Sequence, residues 1–346
     1  MDHNALRSLG WKPCFEQQVA GDERESHISV RVGAHFGSQV LCLSADEDFT
    51  LPIGQLARCG DVAVGDWLLL EADSRRGVRR LERTSLIARK AAGEKVTTQP
   101  IAANLDTLFI VASCNHDFNP SRMERYLALA SEADVSPVLV LTKSDLHEDP
   151  ASLRQQAARL KSDLMVETVD ARDAQQVACL ADWCGAGQTV ALVGSSGVGK
   201  STLAMTLGAG ELATQGIRED DSKGRHTTTA RCLHRLDAGG LLMDTPGMRE
   251  LQLAACEDGV ADVFEEIAQL ASACRFNDCA HGGEPGCAVQ AAIDDGELDP
   301  RRLKSFLKLQ SEQARNAQSL REQRDASRKL GKYYKSVQQS KRDRFR

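Results

Sequence analysis

The residues best suited to chemistry are Gly194-Ser195-Ser196-Gly197-Val198-Gly199-Lys200-Ser201, which fit the phosphate-binding spacing G-x-x-x-x-G-K-[ST]. Glycines let backbone N–H groups turn inward around a phosphate chain, and a following helix N-terminus adds positive potential. Lys200 is placed to reach the β- and γ-phosphates, and the Ser201 hydroxyl to ligate Mg²⁺. The apolar run 188–193 reads as a buried parallel strand, and 202–207, opening at Thr202, continues as helix. Strand, glycine loop and helix start are the context that this chemistry requires.

A second stretch selects the base. Thr142-Lys143-Ser144-Asp145 follows the buried-strand run 137–141 and is close to the pattern [NT]-K-x-D. A carboxylate at Asp145 accepts two hydrogen bonds from the guanine N1–H and 2-amino group, a donor pair that adenine lacks. The aliphatic stem of Lys143 can lie over the base. Asp170 and Ala171, after a further strand at 164–169, stand where a second base-contacting loop is expected. Downstream, the polar stretch 216–226 ends in His226 and Thr227-Thr228-Thr229, hydroxyls suited to Mg²⁺ and the γ-phosphate, with Thr228 taken as the ligand. Gly240–Met243 then leads as a strand into Asp244-Thr245-Pro246-Gly247, a D-x-x-G in which Asp244 positions Mg²⁺ and the Gly247 amide senses the γ-phosphate.

The order of these parts is informative. Ordinary GTPases place the phosphate loop first and the guanine motif last. Here the guanine motif (142–145) precedes the phosphate loop (194–201), and D-x-x-G (244–247) comes last. The nucleotide domain is thus read as circularly permuted. Many GTPases carry a Gln after D-x-x-G that orients the attacking water. Met248 stands there and cannot, so slow intrinsic turnover is expected, with His226 as the replacement once a partner orders its loop.

Cys274, Cys279, His281 and Cys287 supply three thiols and an imidazole within fourteen residues, a set suited to a closed, structural zinc site. The other eight cysteines are scattered, which argues against a disulfide framework. Residues 254–273 read as one helix with Val260, Val263, Phe264, Ile267, Leu270 and Ala271 on a stripe. Residues 301–346 hold 15 Lys and Arg against 4 Asp and Glu, so the net −6 divides into +11 there and −17 in the first 300 residues. A basic tail on an acidic body suits a polyanionic partner, although a solvated helical face has the same composition.

The first 95 residues read as about five short strands, including 27–32, 39–43 and 65–71, which fits a small barrel such as an OB-fold, with Trp67 in its core. OB-folds commonly bind nucleic acid. Ala88–Lys95 reads as a linker. The expected plan is a barrel (1–95), a permuted α/β nucleotide domain (96–253) and a helical metal-binding domain with a basic tail (254–346). No apolar run approaches a membrane span, and the N-terminus lacks a signal-peptide layout, so a cytoplasmic location is expected.

With those motifs in place, the chain resembles the ribosome small-subunit-dependent GTPase A family. The resemblance is carried by Gly65-Asp66-Trp67, 99–104, 142–145, 194–202, 224–229, 244–250 and 274–287. It implies an N-terminal OB-fold, a permuted GTPase and a C-terminal zinc domain, with GTP or GDP, Mg²⁺ and one Zn²⁺ bound. It also implies a monomer that matures the small ribosomal subunit late in assembly, binds its rRNA, and is stimulated by it. His226 is the catalytic residue to which the resemblance points. Two other classes fit the phosphate loop alone: an ATP-using phosphotransferase, and an RNA-binding module without significant hydrolysis.

Overall fold

A computed structural model describes residues 3–90, 98–115, 117–210, 231–244 and 256–315. Five N-terminal strands, β1 (His27–His35), β2 (Gln39–Leu43), β3 (Phe49–Pro52), β4 (Trp67–Glu71) and β5 (Gly77–Arg80), pair antiparallel in the order β5-β4-β1-β2-β3. Among the described residues no ladder joins β3 to β5, and the 3₁₀ helix Ile53–Cys59 packs against both. Gly77 permits the approach, because a Cβ there would lie 2.7 Å from Cys59 Sγ. Three short helices precede the strands, at His3–Ser8, Pro13–Glu16 and Gly21–Ser26. They are too short to show a helical period, so the strand reading of this segment missed them. Leu6 and Phe15 from the first two helices, with Leu9 and Trp11 from the turn between them, pack with Trp67, Leu69 and Leu81 in one core. Trp67 is fully buried, edge-on to Trp11 with ring centroids 4.7 Å apart.

The linker expected at 88–95 begins as a strand. β6 (Leu86–Lys90) pairs with β7 (Thr98–Ala103) in a two-stranded sheet, and residues 91–97 lie outside the described set. The charged pair Arg89-Lys90 obscured the alternation that buries Ile87.

Fully apolar runs between helices then form a parallel sheet, as buried strands do. It contains β8 (Thr107–Ser113), β9 (Ser136–Thr142), β10 (Met165–Thr168), β11 (Thr189–Val193) and β13 (Leu241–Asp244), with β12 (Arg231–Arg235) antiparallel to β13. The spatial order is β10-β9-β8-β11-β13-β12, and the phosphate-loop strand β11 lies inside it. The helices Pro120–Glu132 and Pro150–Ala158 start on Asn119 and Asp149, whose side chains accept from the N–H groups of Arg122 and Ser152.

β12 also pairs with β1, so the sheet runs on into the N-terminal strands, and residues 1–87 and 100–251 form one compact unit. Arg31 on β1 supplies buried polar bonds between its halves, beside the ion pair of Lys12 with Asp106. Its buried guanidinium donates to the carbonyl oxygens of Leu9 (2.6 Å), Gly65 (3.3 Å) and Asn104 (3.0 Å), and to Thr189 Oγ1 on β11 (2.9 Å). Burial pushes its pKa down to about 10, which leaves it charged at neutral pH.

The second unit comprises 88–99 and 252–346. The single helix expected at 254–273 is two, Glu257–Val263 and Glu265–Ser272, broken at Phe264 with φ −117° and ψ 37°. Val260, Val263, Phe264 and Ile267 are still buried, whereas Leu270 and Ala271 are only half-buried. Arg302, on a helix over 300–315, explains the break. It donates to the Val263 carbonyl at 2.9 Å, pairs with Glu266, and stacks 4.4 Å from the Phe264 ring. The helix Ala288–Asp294 starts on Cys287.

Candidate functional site

The phosphate loop takes the shape its glycines allow. Gly194, Gly197 and Gly199 have φ of 146°, 75° and 98°, and a Cβ on Gly194 would meet the Val111 carbonyl oxygen at 2.1 Å. Lys200, Ser201 and Thr202 open the helix Lys200–Thr206, so the loop amides and the helix N-terminus face the same side. The Lys200 ammonium donates to the carbonyl oxygens of Gly194 (3.0 Å) and Ser195 (2.6 Å), which holds it across the loop. Ser196, Gly197 and Val198 line a cleft of about 340 Å³ together with Ser113, Asn115, Asp117 and Lys143.

The motif at 142–145 sits against this loop. Thr142 is fully buried, and its hydroxyl reaches the carbonyl oxygens of Ala112 (3.2 Å) and Val198. Thr142 therefore braces the loop after β9 to the glycine loop at 194–199. Lys143 adopts a left-handed conformation (φ 56°) and its ammonium donates to the Gly197 carbonyl at 2.7 Å. Ser144 N–H donates to the Val169 carbonyl at 3.4 Å, which joins the loops after β9 and β10.

Asp170 and Ala171 lie on the loop after β10, next to Asp145. Asp170 accepts from Arg172, whose side-chain hydrogen bond holds the carboxyl below its ordinary pKa. Ala171 is buried, and its carbonyl accepts from Thr206 Oγ1 at 2.7 Å. Three arginines were not found from the sequence, because none belongs to a motif. Arg172 also donates to Asp145, Arg122 joins Asp117 to Ser195 Oγ, and Arg31 ties β11 to β1. For Arg172 a signal existed in its position two residues after Asp170.

Asp244 ends β13, next to the phosphate-loop strand. His226, Thr227, Thr228, Thr229, Gly247 and Met248 lie outside the described residues, as does the chain beyond 315.

The Cys/His cluster forms in the second unit. The ligand atoms of Cys274, Cys279, His281 and Cys287 all lie within 4.8 Å of one another. Cys274 Sγ is 3.7 Å from His281 Nδ1 and 3.9 Å from Cys287 Sγ, and the latter pair is closed by Cys287 Sγ to His281 Nδ1 at 3.5 Å. A tetrahedron with metal–sulfur bonds of about 2.3 Å has edges of roughly 3.8 Å, so the donor set and its spacing fit zinc. Glu284 stiffens the loop by accepting from the N–H groups of Ala280 (2.9 Å) and Gly282 (2.7 Å).

A sequence profile of the RsgA GTPase family matches residues 80–254. The chain is 53% identical over 342 residues to small ribosomal subunit biogenesis GTPase RsgA 2 of Vibrio parahaemolyticus, a match covering 99% of this chain and 95% of that protein. It is 48% identical over 316 residues to small ribosomal subunit biogenesis GTPase RsgA of Mesorhizobium japonicum, covering 90% and 91%. Among solved structures, YjeQ of Thermotoga maritima matches with a TM-score of 0.62 at 22% identity, over 83% of this chain and 99% of that one. YloQ, described as a circularly permuted GTPase, matches with a TM-score of 0.60 at 24% identity, over 83% and 95%. These two likenesses concern the fold.

Proposed function

As a member of the RsgA GTPase family, the protein is a GTP hydrolase of small ribosomal subunit biogenesis, and we propose that it reads guanine through Asp145 and hydrolyses GTP when the subunit's rRNA engages it. The observation that carries this reading is the joining of the base-reading and phosphate loops through Thr142 and Lys143. The same bound nucleotide then meets Asp145 at one end and Lys200 at the other.

In this reading Lys200 leaves the Gly194 and Ser195 carbonyls for the β- and γ-phosphates, so its charge is held ready inside the loop. Ser201 and Thr228 would hold Mg²⁺, which supplies charge neutralisation at the phosphates. His226 orients the attacking water when the subunit engages the protein. The Cys/His cluster holds one structural Zn²⁺. The protein works as a monomer in the cytoplasm; among the described residues no helix is long and apolar enough to cross a membrane.

The relatives are named as GTPases, which disfavours both an ATP-using phosphotransferase and a module without hydrolysis. Competition of unlabelled GTP, GDP and ATP against a fluorescent GDP tests the base reading: guanine nucleotides are expected to displace it and ATP to fail. Equal displacement by ATP overturns the role of Asp145. A His226→Ala protein is expected to bind GTP normally but to lose subunit-stimulated turnover, and full stimulation in that variant removes His226 from the mechanism.

A further inference from the structure

Arg172 contacts the base-reading carboxylate. Its Nη2 donates to Asp145 Oδ2 at 2.8 Å. The same guanidinium grips Asp170 through Nε to Oδ1 (3.0 Å) and Nη2 to Oδ2 (2.8 Å), and the Arg172 backbone N–H adds a bond to Asp170 Oδ1 at 3.0 Å. Asp170 therefore fixes Arg172, and Arg172 reaches across to Asp145.

The chemistry of the contact matters. Guanine presents N1–H and the 2-amino group on one carbon, which is a guanidine edge. Arg172 offers Asp145 the same kind of donor. Two guanidine-type groups, one internal and one on the ligand, thus require the same carboxylate. The Arg172 side chain is 68% exposed and that of Asp145 33%, so water can replace the bond as it opens. Arg172 gives up only its Asp145 bond and keeps Asp170.

We propose that Arg172 is an internal competitor for the guanine-reading carboxylate, holding Asp145 until a guanine edge displaces it and so slowing guanine nucleotide entry. The inference rests on Asp145 being the guanine reader. Arg172 is here a positioning and specificity-determining residue rather than a catalytic one.

The test mixes a ribose-labelled fluorescent GDP with the full-length protein in a stopped-flow instrument. An exposed ion pair has modest strength, so Arg172→Ala is expected to raise the association rate constant about two- to fivefold at low salt. The difference should shrink as salt rises toward about 0.5 M, where the pair is screened. Arg172→Lys keeps the charge without the fork and should fall between the two. In an Asp145→Ala background, Arg172→Ala should change nothing, which isolates the pairwise coupling. Unchanged or slower association in Arg172→Ala, or the same acceleration without Asp145, overturns the competitor role. If Asp145→Ala itself leaves labelled-GDP binding intact, the guanine assignment fails and the competitor with it. If Asp145→Ala weakens binding while Arg172→Ala is neutral, only the competitor fails.

Discussion

At Gly194 a single hydrogen atom decides whether the phosphate loop can form. With φ at 146° and the Val111 carbonyl oxygen 2.1 Å from where a Cβ would stand, Gly194→Ala must shift either the loop or β8. The expected cost is about 1–3 kcal/mol. Because the displaced atoms form the phosphate cradle, GTP affinity should fall about tenfold or more, a loss worth roughly 1.4 kcal/mol. Denaturant unfolding and nucleotide titration of the same sample check both figures. Arg31 is the second decisive residue. Arg31→Met leaves the carbonyls of Leu9 and Asn104 without their buried donor, while Gly65 keeps the bond from the Asn104 side-chain amide. A loss of roughly 1–3 kcal/mol for each orphaned carbonyl is expected, read as a lower urea midpoint. The two residues differ in legibility. Gly194 belongs to a spacing that phosphate binding explains better than a chance glycine-rich turn. Arg31, between Val30 and Val32, looks like a solvent-facing position of an alternating strand. One of its partners, Thr189, is 158 residues away and comes close only through the fold.

At the scale of elements, the Cys/His loop and the small helix Gly21–Ser26 make separate predictions. Ser in place of Cys279 removes one of four ligands, so the purified variant should contain less than one zinc per chain. Chelation of the parent should release one equivalent and lower the melting temperature, because binding of a structural metal is coupled to folding. A parent chain that contains no zinc and melts identically with chelator contradicts this. In the small helix, Glu23 is held down to about 2 by its hydrogen bond from Arg79, with the Ala20 N–H adding to it. The folded pKa lies below the unfolded value near 4.5, so the pair stabilises above that pH and its contribution fades as pH falls toward 2. Glu23→Gln should therefore be less stable than the parent at pH 7 and equal to it near pH 2. The difference at pH 7 should be under about 1 kcal/mol, because both side chains are partly exposed. Elements with full apolar runs, such as β8, β9 and β11, were legible from their residues. β12 was not, because its residues Arg231-Cys232-Leu233-His234-Arg235 are half-buried or exposed and show no two-sided pattern.

For the whole molecule, motif order revealed the permutation, because the sheet order β10-β9-β8-β11-β13-β12 is indifferent to where the chain enters it. The continuity of that sheet with the N-terminal strands was not legible. It depends on β12 pairing on both edges, with β13 and with β1. Charge is also distributed at this scale. Residues 316–346 carry 10 Lys and Arg against 3 Asp and Glu. A chain ending at 315 should bind small ribosomal subunits more weakly and with a shallower dependence on salt, because fewer cations displace counterions from rRNA. Equal affinity at every salt concentration removes the tail from the interface. We propose a GTPase whose turnover awaits the subunit. Its most direct test is the hydrolysis rate of GTP by the full-length protein with and without purified small ribosomal subunits, with ATP in parallel. Slow turnover alone, strong acceleration by subunits and no hydrolysis of ATP are the predicted results. Equal rates with and without subunits, or equal use of ATP, would contradict this role.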